Sequence, residues 1–183
     1  MTSLRGDRVT IRRLEPSHAE SVLDLRLRNR DFFGPWEPVR GEGSFTLAAV
    51  RTEMEVSVEL WERGEGFVFG IFANDTDELV GGIALRNIAR GAWQNATLGY
   101  WVAHEHNGKG YATEAVKLAS RFAFDEARLH RVQAGTLLHN IGSQRVLEKA
   151  GYRFEGVSLR YLNINGRWQD HRMYALTVED QGD

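Results

Sequence analysis

Between Leu98 and Arg128 the chain passes from a strand pattern to a helix pattern across a short glycine-containing junction. Leu98, Tyr100 and Val102 alternate with Gly99, Trp101 and Ala103, the period of a β-strand. Beyond the loop His104–Lys109, residues Ala112, Ala115, Val116, Ala119, Phe122 and Ala123 recur at the three- and four-residue spacing of a helix. The junction reads Asn107-Gly108-Lys109-Gly110-Tyr111-Ala112. Its glycines let the backbone turn and come close to a ligand. The first helical turn leaves N–H groups without intrahelical partners, and with the positive end of the helix dipole these suit a pyrophosphate. Gly-x-Gly at such a junction is equally compatible with a plain turn. No Gly-x-x-x-x-Gly-Lys-Ser/Thr frame fits. Thr113 stands where a dinucleotide fingerprint wants a third small residue, and that fingerprint needs parallel βαβ units on both sides.

The flanking chain reads as antiparallel instead. Phe67–Ala73, Leu79–Ile88 and Trp93–Val102 are strand patterns joined by the turns Asn74–Asp77 and Arg90–Ala92. Connections this short make a meander, because parallel neighbours need a longer crossover. Gly99, inside the third of these strands, marks a bulge or a close backbone approach. Earlier in the chain, Val9 and Ile11 define a short strand, and Ser17-His18-Ala19-Glu20 reads as a capping box. The helix it starts carries Val22, Leu23, Leu25 and Leu27 and ends near Asn29-Arg30. Asp31–Arg40 is a loop with two prolines and three aromatics, suited either to fold back on the core or to line a pocket. Ser44–Arg63 reads as a second helix. After the central helix come a strand over Arg131–Leu138, a short helix begun by Asn140 and stopped by Gly151, and strands over Tyr152–Leu162 and Trp168–Thr177. With no repeat, linker or low-complexity stretch, residues 1–183 read as one mixed α/β domain.

The absence of cysteine excludes disulfides, thiolate metal sites and a cysteine nucleophile together. A net charge of −2 offers no general basic field for nucleic acid, and the N-terminal residues form no apolar signal run or membrane span. The expectation is a cytoplasmic protein with no direct nucleic-acid or membrane partner.

The element order β-α-α-β-β-β-α-β-α-β-β, with its glycine turn before the central helix, resembles the GNAT acetyltransferase fold. That fold is α/β, a mixed and mostly antiparallel seven-stranded sheet flanked by four helices. The family's pyrophosphate motif, Gln/Arg-x-x-Gly-x-Gly/Ala, falls on Asn107–Ala112, with Asn107 replacing the usual Gln or Arg. Gly99-Tyr100-Trp101, Ala112-Thr113-Glu114-Ala115, Asn140–Ser143 and Leu147–Tyr152 are similar to the RimJ/RimL branch, which acetylates the N-terminal amines of ribosomal proteins. Pro35–Arg40 and Asn165–His171 resemble the RimJ type specifically.

The resemblance implies transfer of acetyl from acetyl-CoA to a primary amine. It places the pyrophosphate on Asn107, Gly108, Lys109, Gly110, Tyr111, Ala112 and Thr113. It places the pantetheine and carbonyl on the strand Tyr100, Trp101 and Val102, with Asn140 binding the pantetheine arm and Ser143 giving the leaving sulfur its proton. Read without the family, Asn140 is an N-cap and Ser143 a first-turn residue. An α-amine titrates near ~7.7–8.0 and lysine near ~10.4, so lysine costs roughly 3.5 kcal/mol more to deprotonate. An N-terminal amine therefore manages with a water relay. Some relatives place a glutamate where this chain has Thr97, which leaves the base open; Glu37, acting through water, is the candidate.

Other residues invite chemistry without requiring it. His104-Glu105-His106 lacks a third metal ligand in view, so no metal is expected. His171 reads equally as structural or groove-lining, and Trp36, Trp101, Trp168 and Tyr152 as core. Arg167 and Arg172 read as surface residues. Tyr100 and Trp101 point to opposite faces, so one of them at most is expected in the groove. Three functions follow: acetylation of the N-terminal α-amine (Ala or Ser) of a ribosomal or other protein, acetylation of a small amine, or a non-catalytic acetyl-CoA-binding module. Relatives in the branch are monomers or homodimers.

Overall fold

The computed structural model describes residues 3–180. Its centre is one eight-stranded sheet, β1 (Ser3–Arg5), β2 (Val9–Arg13), β3 (Phe67–Ala73), β4 (Leu79–Ala89), β5 (Asn95–Val102), β6 (Arg131–Leu137), β7 (Arg153–Ile164) and β8 (Arg167–Thr177), in the order β1-β2-β3-β4-β5-β6-β8-β7. Every neighbouring pair is antiparallel except β5–β6. The helices are α1 (Ala19–Arg28), α2 (Arg30–Phe33), α3 (Leu47–Arg63), α4 (Tyr111–Asp125) and α5 (Ile141–Lys149).

The expected seven strands and four helices thus become eight and five. The added strand, β1, has three residues and buries only Leu4, too little to show a period. The added helix, α2, is one turn at the start of the supposed Asp31–Arg40 loop, followed by a 3₁₀ turn over Gly34–Trp36. The first helix is not capped at Ser17. Glu15 stays extended, Pro16 presets the next φ, and the reciprocal bonds form between Glu15 and His18. Leu27, on the expected apolar face of α1, is exposed; Ala19, Val22 and Leu25 are the buried set. Helix α3 begins after Thr46, whose hydroxyl accepts the Ala49 N–H at 3.2 Å, and stops at left-handed Gly64.

Two apolar clusters hold the helices to the sheet. Trp61, Phe67, Phe69 and Phe122 pack around one another with centroids 4.9–5.5 Å apart, joining α3, β3 and α4. Val22, Leu25, Val50, Met54 and Phe72 bind α1 and α3 to the sheet around Trp101. Tyr152 is buried, its hydroxyl 2.8 Å from Ser120 Oγ, and Gly151 takes the left-handed turn that ends α5. Gly99 makes no bulge: it pairs in register with Ala84, and a Cβ there would meet nothing. The close approach lies opposite, where a Cβ on Gly81 or Gly82 would meet the Trp101 carbonyl oxygen at 2.3 Å or the indole at 2.8 Å.

Candidate active site

Strands β5 and β6 pair only over Asn95–Thr97 and Arg131–Gln133. Beyond Thr97, β5 stays with β4 through Val102, and β6 stays with β8 through Leu137, so the two strands part. A cleft of about 590 Å³ opens in the gap. Its walls are Leu98–Val102 on one side and Ala134–Leu137 on the other. Both Tyr100 and Trp101 line it, which corrects the expectation of one at most. Side chains alternate across a strand, so walls from both parities mean that the gap is reached from both faces of the sheet.

On the helix face, the turn before α4 closes one end. Gly108 and Gly110 adopt φ 78° and 81°, the left-handed region glycine tolerates. The first α-helical bond here runs from Glu114 N–H to Gly110 C=O, which leaves the amides of Tyr111, Ala112 and Thr113 ahead of the helical ladder. Asn107, Gly108, Gly110, Tyr111, Ala112 and Thr113 all line the cleft, whereas the Lys109 amino group turns to His106 Nδ1 at 3.3 Å. The turn is tied down from behind. Arg8 Nη1 donates to Lys109 O at 3.0 Å, and the Glu114 carboxylate accepts the N–H groups of Asp7, Arg8 and Val9 at 2.7–2.9 Å. Glu114 is a positioning residue that sequence reasoning missed, since its partners lie a hundred residues away.

The other wall of the helix face is α5. Asn140 caps it, its Oδ1 accepting the Ser143 N–H at 3.1 Å. The Tyr100 hydroxyl lies 2.8 Å from the Ser143 hydroxyl and 3.1 Å from the Ser143 carbonyl oxygen, so its single proton has two acceptors within reach. Burial pushes the Tyr100 phenol well above the ordinary range, and the Ser143 hydrogen bond offsets only part of this. Tyr100 therefore keeps its proton at neutral pH. When that proton goes to Ser143 Oγ rather than to the carbonyl, the serine proton is free to point into the cleft. Thr136, on the β6 wall, has a buried hydroxyl oxygen with no partner among the described residues.

The opposite mouth is formed by the aromatic loop and the β7–β8 hairpin. Phe32, Phe33, Trp36 and Glu37 face Leu162, Ile164 and His171 across it. Trp36 packs on His139 with centroids 5.4 Å apart, Phe33 stands edge-on to Trp101 at 5.4 Å, and Asn165 N–H donates to Glu37 O at 3.0 Å. The loop thus both folds onto the core and lines a pocket. The Glu37 carboxylate is half-buried and accepts from Arg40 Nε at 3.0 Å. Thr97 is outside the cleft lining, at the last paired position before the split. Trp168, expected in the core, is exposed. His104 packs on Phe32, and Glu105 pairs with Arg28; no group of three metal-ligating side chains occurs among the described residues.

A parted parallel pair, a glycine turn presenting helical amides and a proton-bearing hydroxyl pair suit acyl transfer from a phosphate-bearing carrier. Residues 8–153 match the acetyltransferase (GNAT) domain family, and the chain belongs to it. It is 42% identical over 177 residues to the probable N-acetyltransferase YjcK of Bacillus subtilis, covering 97% of this chain and 98% of that protein. It is 33% identical to the ribosomal protein uS5-alanine N-acetyltransferase of Escherichia coli, covering 97% and 91%. The structure of Mycobacterium smegmatis RimJ in complex with CoA-disulfide superposes with a TM-score of 0.90 at 30% identity, over 96% of this chain and 84% of that one.

Proposed function

We propose that this chain transfers acetyl from acetyl-CoA to the N-terminal α-amine of a protein beginning with Ala or Ser, a ribosomal protein being the leading acceptor. The observation that carries this is the split between β5 and β6, which gives donor and acceptor separate entrances to one reaction point. The residues present fit acetyl-CoA. The pyrophosphate falls to the amides of the Gly108–Thr113 turn, with Asn107 at its edge, and the apolar β5–β6 gap suits a pantetheine arm. The unpartnered Thr136 hydroxyl and the Asn140 side chain offer that arm polar contacts. Bound there, acetyl-CoA supplies an acetyl thioester.

The chain's own residues do the rest. Backbone donors on the freed edge of β5, from Tyr100 to Val102, face the position of the carbonyl oxygen, where they stabilise developing negative charge. Ser143 gives its proton to the leaving sulfur, and Tyr100 stands behind it with the proton that refills it. At the opposite mouth, the Trp36 loop and the β7–β8 hairpin exclude water around the incoming amine. Glu37 there is paired with Arg40. The acceptor class follows the uS5-alanine relative and the low proton-removal cost of an α-amine. A cytoplasmic setting accompanies that acceptor, and among the described residues no helix is long and apolar enough to cross a membrane.

Release of CoA is measured with peptides starting in Ala, Ser or Met, each with a free or blocked α-amine, beside a set of small amines. Turnover on free Ala or Ser termini, lost on blocking, is the expected result. Turnover confined to small amines contradicts the protein acceptor, and binding of acetyl-CoA without turnover on either set contradicts catalysis.

A further inference from the structure

The amine must lose a proton, and Thr97, at the last paired position of β5 before the split, has no basic group to take it. On the acceptor side of the split, one side chain has the properties of a proton acceptor. His171, on β8, is buried to 3% exposure yet lines the cleft. Its Nδ1 lies 2.9 Å from the Gln169 carbonyl oxygen. A carbonyl only accepts, so Nδ1 must carry the hydrogen, and the neutral ring then has its lone pair on Nε2. Nε2 has no hydrogen-bond partner among the described residues and is not among their sealed, unpartnered atoms. The register sets His171 opposite Leu137 on β6 and Ser158 on β7, with its Cδ2 3.6 Å from where a Gly135 Cβ would stand. Gly135 and the imidazole are thus packing neighbours on one face of the sheet. Tyr174, three residues on, bonds Glu148 of α5, so His171 occupies the face away from α5 and Ser143.

The charged and titratable groups around it leave that role open. Tyr161 of β7 stands edge-on at 5.5 Å. Glu37 of the aromatic loop is engaged by Arg40. Asp170 accepts the Arg160 N–H at 2.8 Å, and Arg172 lies over Phe154 at 4.1 Å on the other face. From β6 only the uncharged Gly135 and Leu137 face the ring.

We propose that His171 Nε2 is the catalytic base, an inference that rests on the amine-acetylating reading above. Nε2 takes one proton from the acceptor ammonium, directly or through one water. The freed nitrogen lone pair forms the C–N bond as the C–S bond of the thioester breaks, and the sulfur takes the proton given by Ser143. The nitrogen then still bears one proton more than the amide keeps and releases it to water. Water returns a proton to Ser143 through Tyr100, and His171 passes its proton to solvent. The reaction thus releases one proton overall and needs no further co-reactant. Glu37, committed to Arg40, serves the mouth rather than the proton.

His171→Asn tests this, because asparagine keeps a donor for the Gln169 carbonyl and lacks the basic nitrogen. The expected result is a fall of about 10²–10³-fold in kcat/KM on Ala- and Ser-peptides at neutral pH, with loss of the low-pH limb of the wild-type profile. CoA affinity by calorimetry should stay within about twofold, and Glu37→Gln should cost less than about fivefold. In the free protein, imidazole ¹⁵N spectra should show the neutral ring protonated at Nδ1. Activity of the Asn variant within about threefold of wild type, or CoA affinity falling in parallel with activity, overturns the proposal. So does an Nε2–H ring, or a larger loss in Glu37→Gln. If wild type acetylates no amine, the functional reading fails instead, and the tautomer is still read independently.

Discussion

The run β2–β5 and the junction β5–β6 use similar apolar segments to opposite ends. From β2 to β5 each strand meets its neighbour along most of its length, with irregularities only near Ile71–Phe72 and Arg86–Ala89. Its side chains go to packing: Val9, Ile11, Phe69, Ile71, Val80 and Leu85 are fully buried. At β5–β6 three residue pairs hold before the strands part, and the side chains there line a cleft. A closed ladder satisfies its own backbone groups, while a parted one leaves them for a ligand. Residues on β5 serve both regimes, since Trp101 packs against Gly82 and Phe33 while Tyr100 reaches Ser143.

Substitutions on the two sides should therefore separate chemistry from stability. Ser143→Ala should lower kcat by about 10²–10⁴-fold while CoA affinity and thermal midpoint hold, as read by steady-state kinetics, calorimetry and melting. Phe69→Ala, in the closed half, should show the reverse. Unfolding free energy should fall by about 3–5 kcal/mol in a urea titration, with little change in turnover per folded molecule. Equal loss of activity in Phe69→Ala at low temperature would mean the halves are not separable.

A smaller effect is expected at the α4 turn. Gly110→Ala forces a side chain into a left-handed backbone at a cost of about 1–2 kcal/mol. Its Cβ would also meet Arg8 Nη1 at 2.6 Å, so CoA affinity should weaken about tenfold. Gly108→Ala, with open space around its Cβ, should weaken it less.

The smallest effect is electrostatic and spans both halves. Burial raises the phenols of Tyr100 and Tyr152. An acid raised in the folded state leaves stability flat below the ordinary tyrosine range, near ~10. Above it the unfolded chain loses the proton first, so stability declines. Alkaline melting curves should show that decline, and Tyr152→Phe should reduce its slope.

What was legible in the sequence follows from range. The strand–glycine–helix junction, the meander and the Asn140 cap rest on neighbours within a few residues, and each stands in the structure where its spacing placed it. Four features were hidden because their partners are distant or their period too short. Strand β1 has a single buried side chain. The Glu114 carboxylate serves amides from Asp7 to Val9, and the Tyr100–Ser143 contact joins β5 to α5. The face His171 occupies is fixed by the register of β6, β8 and β7, which no local pattern reports. The false cap at Ser17 was a local pattern overridden by the proline before it.

The central claim is that the β5–β6 split, with the α4 turn, is where the acyl donor binds. Amide hydrogen exchange followed with and without acetyl-CoA tests it directly. Added protection at Gly108–Thr113 and on the freed edge from Leu98 to Val102, with the β3–β4 ladder unchanged, is the expected result. Protection spread evenly over the sheet, or confined to residues outside the split, would contradict it.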